Sequence, residues 1–189
     1  MSAAERGGAA PSLKPLSTEL APAVLAFELA NRDFFAAAVP DRGDEYFARF
    51  TDRYDALLAE QAAGICAFYL LVTETGTVLG RFNLYDLVDG TADLGYRVAA
   101  HATGRGMATA AVRELCALAA TRHALHTLRA ATAHENIASQ RVLLKAGFGL
   151  TGPAGPADLG GRSGNWYQLD LTHGPWTAGL LTTPSAEGD

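Results

Sequence analysis

The residues able to do chemistry in this chain cluster between Leu94 and Phe148. His101-Ala102-Thr103-Gly104-Arg105-Gly106-Met107-Ala108-Thr109 is a glycine-rich turn between an apolar strand and a helix. Such a turn presents backbone N–H groups at the positive end of a helix, an arrangement that binds phosphate or pyrophosphate with few side chains. Downstream, Asn136 opens a second helix and Gly147 stops it, with Ser139 one turn past the start. Asn136 is an N-cap and Gly147 a left-handed C-cap, with Lys145 opposing the negative helix end and Phe148 packing back. The turn therefore implies a phosphate-bearing cofactor. Ser139, on the following helix, is a hydroxyl able to face it.

The elements that must position these residues follow from periodicity. Thr18 to Asn31 reads as a helix, with Leu20, Val24, Phe27 and Ala30 at helical spacing. After the polar turn Pro40-Asp41-Arg42-Gly43, a longer helix is expected from Asp44 to Ala63, burying Tyr46, Phe47, Phe50, Tyr54, Leu57 and Leu58. Cys66 to Thr73 is an apolar run suited to a strand buried on both faces. Val78 to Leu87 and Thr91 to Ala99 are the next strands, joined by the hairpin signal Asp89-Gly90. Met107 to Arg122 is a helix, Leu125 to Ala133 a strand and Ile137 to Ala146 a helix. A strand from Phe148 to Thr151 and another from Asn165 to Leu171 bracket a Gly/Pro-rich loop. The layout is α+β (mixed α/β), a central mostly antiparallel sheet flanked by helices.

Composition bounds the rest. The 189 residues carry a formal net charge of −5 without a basic stripe, so nothing favours a nucleic-acid partner. No apolar run reaches membrane-spanning length, and the first residues lack a signal-peptide layout. Residues 1–12 and 173–189 are expected to be loose tails around one domain over 13–172, in a cytoplasmic protein. Cys66 and Cys116 read as buried reduced thiols. The five histidines contain no HxH or HExxH, so no metal is expected. No Gly-x-Ser-x-Gly or Cys–His arrangement supports an acyl-enzyme.

Two familiar phosphate loops fit poorly. A P-loop needs Lys and then Ser or Thr after its second glycine, where Met107-Ala108-Thr109 stands. A dinucleotide fingerprint fails at Thr109, and its strand closes a meander rather than opening a βαβ unit. From Leu94 onward the chain instead resembles the GNAT superfamily of N-acetyltransferases, of the RimJ/RimL ribosomal-protein type. The resemblance rests on Leu94-Gly95-Tyr96-Arg97-Val98, Gly104-Arg105-Gly106-Met107-Ala108-Thr109, Asn136-Ile137-Ala138-Ser139 and Val142-Leu143-Leu144-Lys145-Ala146-Gly147-Phe148.

The resemblance implies acetyl-CoA as cosubstrate. Its binding would involve Tyr96, Arg97 and Val98, the turn Gly104, Arg105, Gly106, Met107, Ala108 and Thr109, and then Asn136, Ser139 and Lys145. Thr103 departs from the Gln or Arg with which the family usually opens the motif. Ser139 is the implied acid at the departing thiolate, because the Tyr many relatives carry further along is absent: Leu144 and Phe148 cannot replace it. A backbone N–H near Val98 is the implied polariser of the acetyl carbonyl. Asp93, two residues before Gly95, is the candidate base, sharing a strand face with Arg97, with Glu28, Glu74, Asp86 and His134 as weaker candidates. Asn31, Arg32 and Tyr46 are the acceptor-side candidates. The acceptor is an amine, at a protein N-terminus or on a small molecule, and the protein is a monomer or homodimer. The alternatives are a non-catalytic acyl-CoA sensor or scaffold, and a domain binding ATP or NAD.

Overall fold

The computed structural model describes residues 9–177. Seven strands form one sheet: β1 (Ser12–Pro15), β2 (Ala67–Val72), β3 (Val78–Val88), β4 (Thr91–Val98), β5 (Thr127–Ala133), β6 (Gly149–Ala154) and β7 (Gly164–Asp170). They lie in the order β1-β2-β3-β4-β5-β7-β6. Every pairing is antiparallel except β4 with β5. The helices are α1 (Ala21–Ala30), α2 (Arg32–Ala36), α3 (Asp44–Ala48), α4 (Phe50–Ala62), α5 (Met107–Arg122) and α6 (Ile137–Ala146). Among the described residues no helix is long and apolar enough to cross a membrane.

The one parallel pair positions the site. β4 and β5 are in register only at Thr91–Thr127, Ala92–Leu128 and Asp93–Arg129. Beyond Asp93 the strands part, so Leu94–Val98 keeps β3 on one side and has no strand on the other. The carboxyl ends of β4 and β5 thus form a fork, and the chain leaves them into the N-termini of α5 and α6. Alternation along β4 sends Tyr96 toward α6 and Arg97 toward α1. α5 and α6 therefore cover one face, and α1 the other.

Several expected elements form for the expected reasons. All six residues of β2 are buried. Asp89 and Gly90 both adopt positive φ (49° and 72°), as the tight hairpin into β4 requires. A side chain at position 90 would also collide with the His126 ring. Other elements differ. The first helix begins as a 3-10 turn over Thr18–Leu20, and α1 starts beside Pro22, which suits a first helical turn. The long helix expected from Asp44 to Ala63 divides at Arg49 (φ −110°, ψ 27°), whose guanidinium lies near both Glu45 and Asp52. Tyr46, Phe50 and Tyr54 still share one buried face across that break. Arg32–Ala36, expected as part of a join, is the short helix α2. β1 begins at Ser12, inside the expected tail, and at the other end a 3-10 turn at Pro175–Thr177 packs on α5.

Candidate active site

The turn before α5 shows why its glycines are there. Gly104 (φ 74°) and Gly106 (φ 75°) are both left-handed, the region that costs other residues most. A Cβ at either position meets nothing within 4 Å, so the space over them is open. Gly106 occupies the N-cap position without a side-chain cap. As a result, the backbone N–H groups of Gly104, Arg105, Gly106, Met107, Ala108 and Thr109 have no protein acceptor. Six consecutive free donors at the start of a sixteen-residue helix make a cradle for an anion. Arg105 is exposed and free of any ion pair, while the Met107 and Ala108 side chains turn inward onto the core. The Thr103 hydroxyl donates back to the Ala100 carbonyl at 2.8 Å, so it finishes the turn and does not reach outward.

On the other branch of the fork, Asn136 caps α6 as expected, its Oδ1 accepting from the Ser139 N–H at 3.1 Å. Gly147 ends the helix at φ 101°, donating to the carbonyls of Leu143 and Leu144. Ser139 Oγ lies 3.0 Å from the Tyr96 hydroxyl. Tyr96 reaches it from β4, its ring stacked on Phe82 (centroids 5.6 Å apart, planes 8° apart). Burial pushes the Tyr96 phenol up to about 12, against a smaller opposing effect of the Ser139 hydrogen bond. A tyrosine hydroxyl therefore does lie beside Ser139, brought by Tyr96 on β4 and not from a position near Leu144. Its partner is 43 residues away, so no local motif could announce the pair.

The other candidates are placed as follows. Asp93 is ion-paired with Arg129 at 2.8 Å, at the last position before the fork opens and on the β4 face away from Ser139. Arg97 donates to Glu28 on α1, leaving only its main chain on the fork. Lys145 lies at the far end of α6, roughly 13 Å along the axis from Asn136, where its carbonyl accepts from Arg113. Asn31 is buried with both ends of its amide in use. It donates to the Phe27 carbonyl at 2.9 Å and accepts from the Ala100 N–H at 2.9 Å, tying α1 to the end of β4. Arg32 is held by Asp41 and Asp44, and Tyr46 is buried under the Arg42 guanidinium. Among the described residues no group of three His, Cys, Asp or Glu could hold a metal.

Glu28, a weaker candidate for the base, is instead committed to two arginines on this face. Glu28, 1% exposed, receives Arg81 Nη1 at 2.6 Å on one oxygen and Arg97 Nη1 at 3.1 Å on the other. The signal was present, since Glu28 shares the buried face of α1 with Val24 and Phe27. A carboxylate there requires a buried cation.

Residues 12–149 match the family described as acetyltransferase (GNAT) domain. The chain belongs to the GNAT acetyltransferase family. Membership makes it an acetyl-CoA-dependent N-acetyltransferase. Over 151 residues it is 29% identical to the probable N-acetyltransferase YjcK of Bacillus subtilis (strain 168), covering 75% of this chain and 82% of that one. The fold is similar to that of the ribosomal-protein-S5-alanine acetyltransferase from Vibrio fischeri (TM-score 0.78, 18% identity, 84% of this chain and 92% of that). It is also similar to Mycobacterium smegmatis RimJ, solved in complex with CoA-disulfide (TM-score 0.75, 24% identity, 90% and 83%). In this GNAT chain, the free donors of the α5 turn fit the pyrophosphate of the cosubstrate in number, polarity and clearance.

Proposed function

We propose that the chain transfers the acetyl group of acetyl-CoA directly to a primary amine, at a protein N-terminus or on a small molecule, with no covalent acyl-enzyme. One observation carries this reading: six free N–H groups and the Tyr96–Ser139 hydroxyl pair meet at the carboxyl ends of two diverging strands. The cosubstrate supplies an activated acyl carbon, and the turn from Gly104 to Thr109 holds its pyrophosphate. Asn136, Tyr96 and the unpaired edge of Leu94–Val98 flank the arm between, with a main-chain N–H at Val98 on the acetyl oxygen.

The amine nitrogen forms the new C–N bond as the C–S bond breaks. Sulfur gains a proton and nitrogen gives one up to water. Ser139 Oγ–H gives its proton to the developing thiolate while the Tyr96 hydroxyl donates a hydrogen bond to Ser139 Oγ behind it, and solvent, which has taken the amine's proton, returns one to Ser139. A phenol held near 12 remains protonated through the neutral range, so the pair acts as donor at every working pH. Asp93, committed to Arg129, acts on the amine only through intervening water. The buried thiols support the absence of an acyl-enzyme: burial pushes Cys116 up to about 12 and raises Cys66 too.

The test is release of free CoA from acetyl-CoA against a panel of amines, for the parent, Ser139→Ala and Tyr96→Phe. Amine-dependent release that falls in both variants, with acetyl-CoA affinity kept, supports the reading. Selective acetyl-CoA binding with no release for any amine would make the chain a sensor or scaffold instead.

A further inference from the structure

On the face of β4 opposite the hydroxyl pair, positive charge is in excess. Arg81, Arg97 and Arg42 converge on the single carboxylate of Glu28. Arg81 and Arg97 each take one oxygen, while Arg42 Nε stays 3.9 Å away, beyond hydrogen-bond range. Neighbouring Arg32 is already matched by Asp41 and by Asp44, the latter 94% exposed and screened by water. Arg97 and Arg42 retain N–H groups without a protein acceptor. Their guanidinium planes are fixed on aromatic rings, Arg97 at 4.8 Å from the Phe35 centroid and Arg42 at 4.5 Å from that of Tyr46. Both are partly open to solvent. Two restrained, part-exposed guanidiniums with spare donors form a ready site for an oxyanion.

A second observation lies on the same face. Asn83 Oδ1 is a buried acceptor without a donor, and Arg81 Nε a buried donor without an acceptor. Asn83 is two residues from Arg81 on β3 and pairs with Gly95, as Arg81 pairs with Arg97. Asn83 Nδ2 donates to the Tyr85 hydroxyl at 2.6 Å, and the Tyr85 ring lies over Gly95. The unused acceptor is therefore about 6–7 Å along the sheet from the guanidinium cluster.

We infer that the acceptor is an amine carrying a carboxylate about 6–7 Å from its nitrogen, with Arg97 and Arg42 binding the carboxylate and Asn83 Oδ1 facing the amine N–H. This rests on the acetyl transfer proposed above. A peptide N-terminus with Glu or Asp as second residue has this spacing, whereas a free α-amino acid holds the two groups closer. The surplus positive charge also favours the uncharged amine that attack requires, and it repels polycations. Burial, with the repulsion of Arg42 and Arg81 added and the attraction of Glu28 opposing, depresses the Arg97 guanidinium, a stress that a bound carboxylate relieves.

The test compares kcat/KM for Ala-Glu-Ala-amide and Ala-Gln-Ala-amide, with alanine, alaninamide and spermidine as further acceptors. The glutamate peptide is expected to be used about tenfold better than the glutamine peptide, the size of one charge-assisted hydrogen bond, through KM more than kcat. Arg97→Gln should bring that ratio toward one and Arg97→Lys should restore part of it. Arg42→Gln, a change at a part-exposed position, gives the same readout if the Arg97 variant fails to fold. Equal use of the two peptides, preference for spermidine, or a preference seen only between alanine and alaninamide overturns the inference and leaves acetyl transfer standing. No CoA release with any amine overturns both.

Discussion

Replacing Gly106 by valine separates the backbone's requirement from the ligand's. Gly106 sits at φ 75°, and a Cβ there has no protein atom within 4 Å. The folded chain therefore loses only conformational energy, about 1–2 kcal/mol for a left-handed non-glycine residue, and at the upper end for a β-branched one. In a domain of this size that lowers the melting temperature by roughly 2–8 °C. The cost to binding is larger because the new methyls enter the open space that the six free N–H groups face. Blocking two charge-assisted hydrogen bonds of about 1.5–3 kcal/mol each weakens binding by roughly 10² to 10⁴-fold. Gly64→Val supplies the control, since Gly64 also has positive φ (72°) and open space but lies after α4, away from the fork. Calorimetric titration with acetyl-CoA, alongside thermal melts of both variants, reads the two effects. Similar melting losses with affinity lost only in Gly106→Val are expected. A folded Gly106→Val protein with parental affinity would refute the pyrophosphate assignment.

Other outcomes follow from the same contacts. Ser139→Ala and Tyr96→Phe should each lower kcat by roughly ten- to a hundredfold while acetyl-CoA affinity in titrations stays within about threefold; parental rates in both would remove the hydroxyl pair from the mechanism. Because burial holds Tyr96 near 12, kcat should show no tyrosine-dependent fall up to about pH 10, and such a fall in the parent that Tyr96→Phe abolishes would contradict the assignment. Glu28→Gln leaves the buried Arg81 and the part-exposed Arg97 without their counter-charge, so it should cost about 3–5 kcal/mol in denaturant unfolding; a loss below about 1 kcal/mol would show the cluster to be dispensable. Burial, and then Arg122, depress His123, whose Nε2 meets the Tyr69 hydroxyl at 2.7 Å. The unfolded chain thus binds the proton more readily, so this contribution is complete above about pH 6.5 and declines as pH falls through the folded value. His123→Gln should flatten that part of the melting-temperature profile, and an unchanged profile would exclude it.

How much was legible depended on the range of the forces involved. The Asp89-Gly90 hairpin, the left-handed glycines before α5, the Asn136 cap and the Gly147 stop are all set by neighbours a few residues away, and sequence alone located them. β1 was not legible because four residues ending in Pro15 form a strand only when β2 offers its edge. The break at Arg49 follows no proline or glycine. In the candidate site, the row of free N–H groups before α5 was readable from backbone rules, whereas the Tyr96–Ser139 pair and the Glu28 cluster join residues far apart in sequence. The motif implies Tyr96 beside the cosubstrate, whereas its hydroxyl partner is visible only with β4 and α6 side by side.

Direct transfer at the fork is open to one decisive measurement. Acetyl-CoA is incubated with the purified chain, with and without amine acceptor, while free CoA is followed and the intact protein is weighed by mass spectrometry. CoA release only when amine is present, with acetylated amine formed in equal amount and no mass added to the chain, is the predicted result. Release without amine accompanied by an acetylated chain, or binding with no release at all, would contradict it.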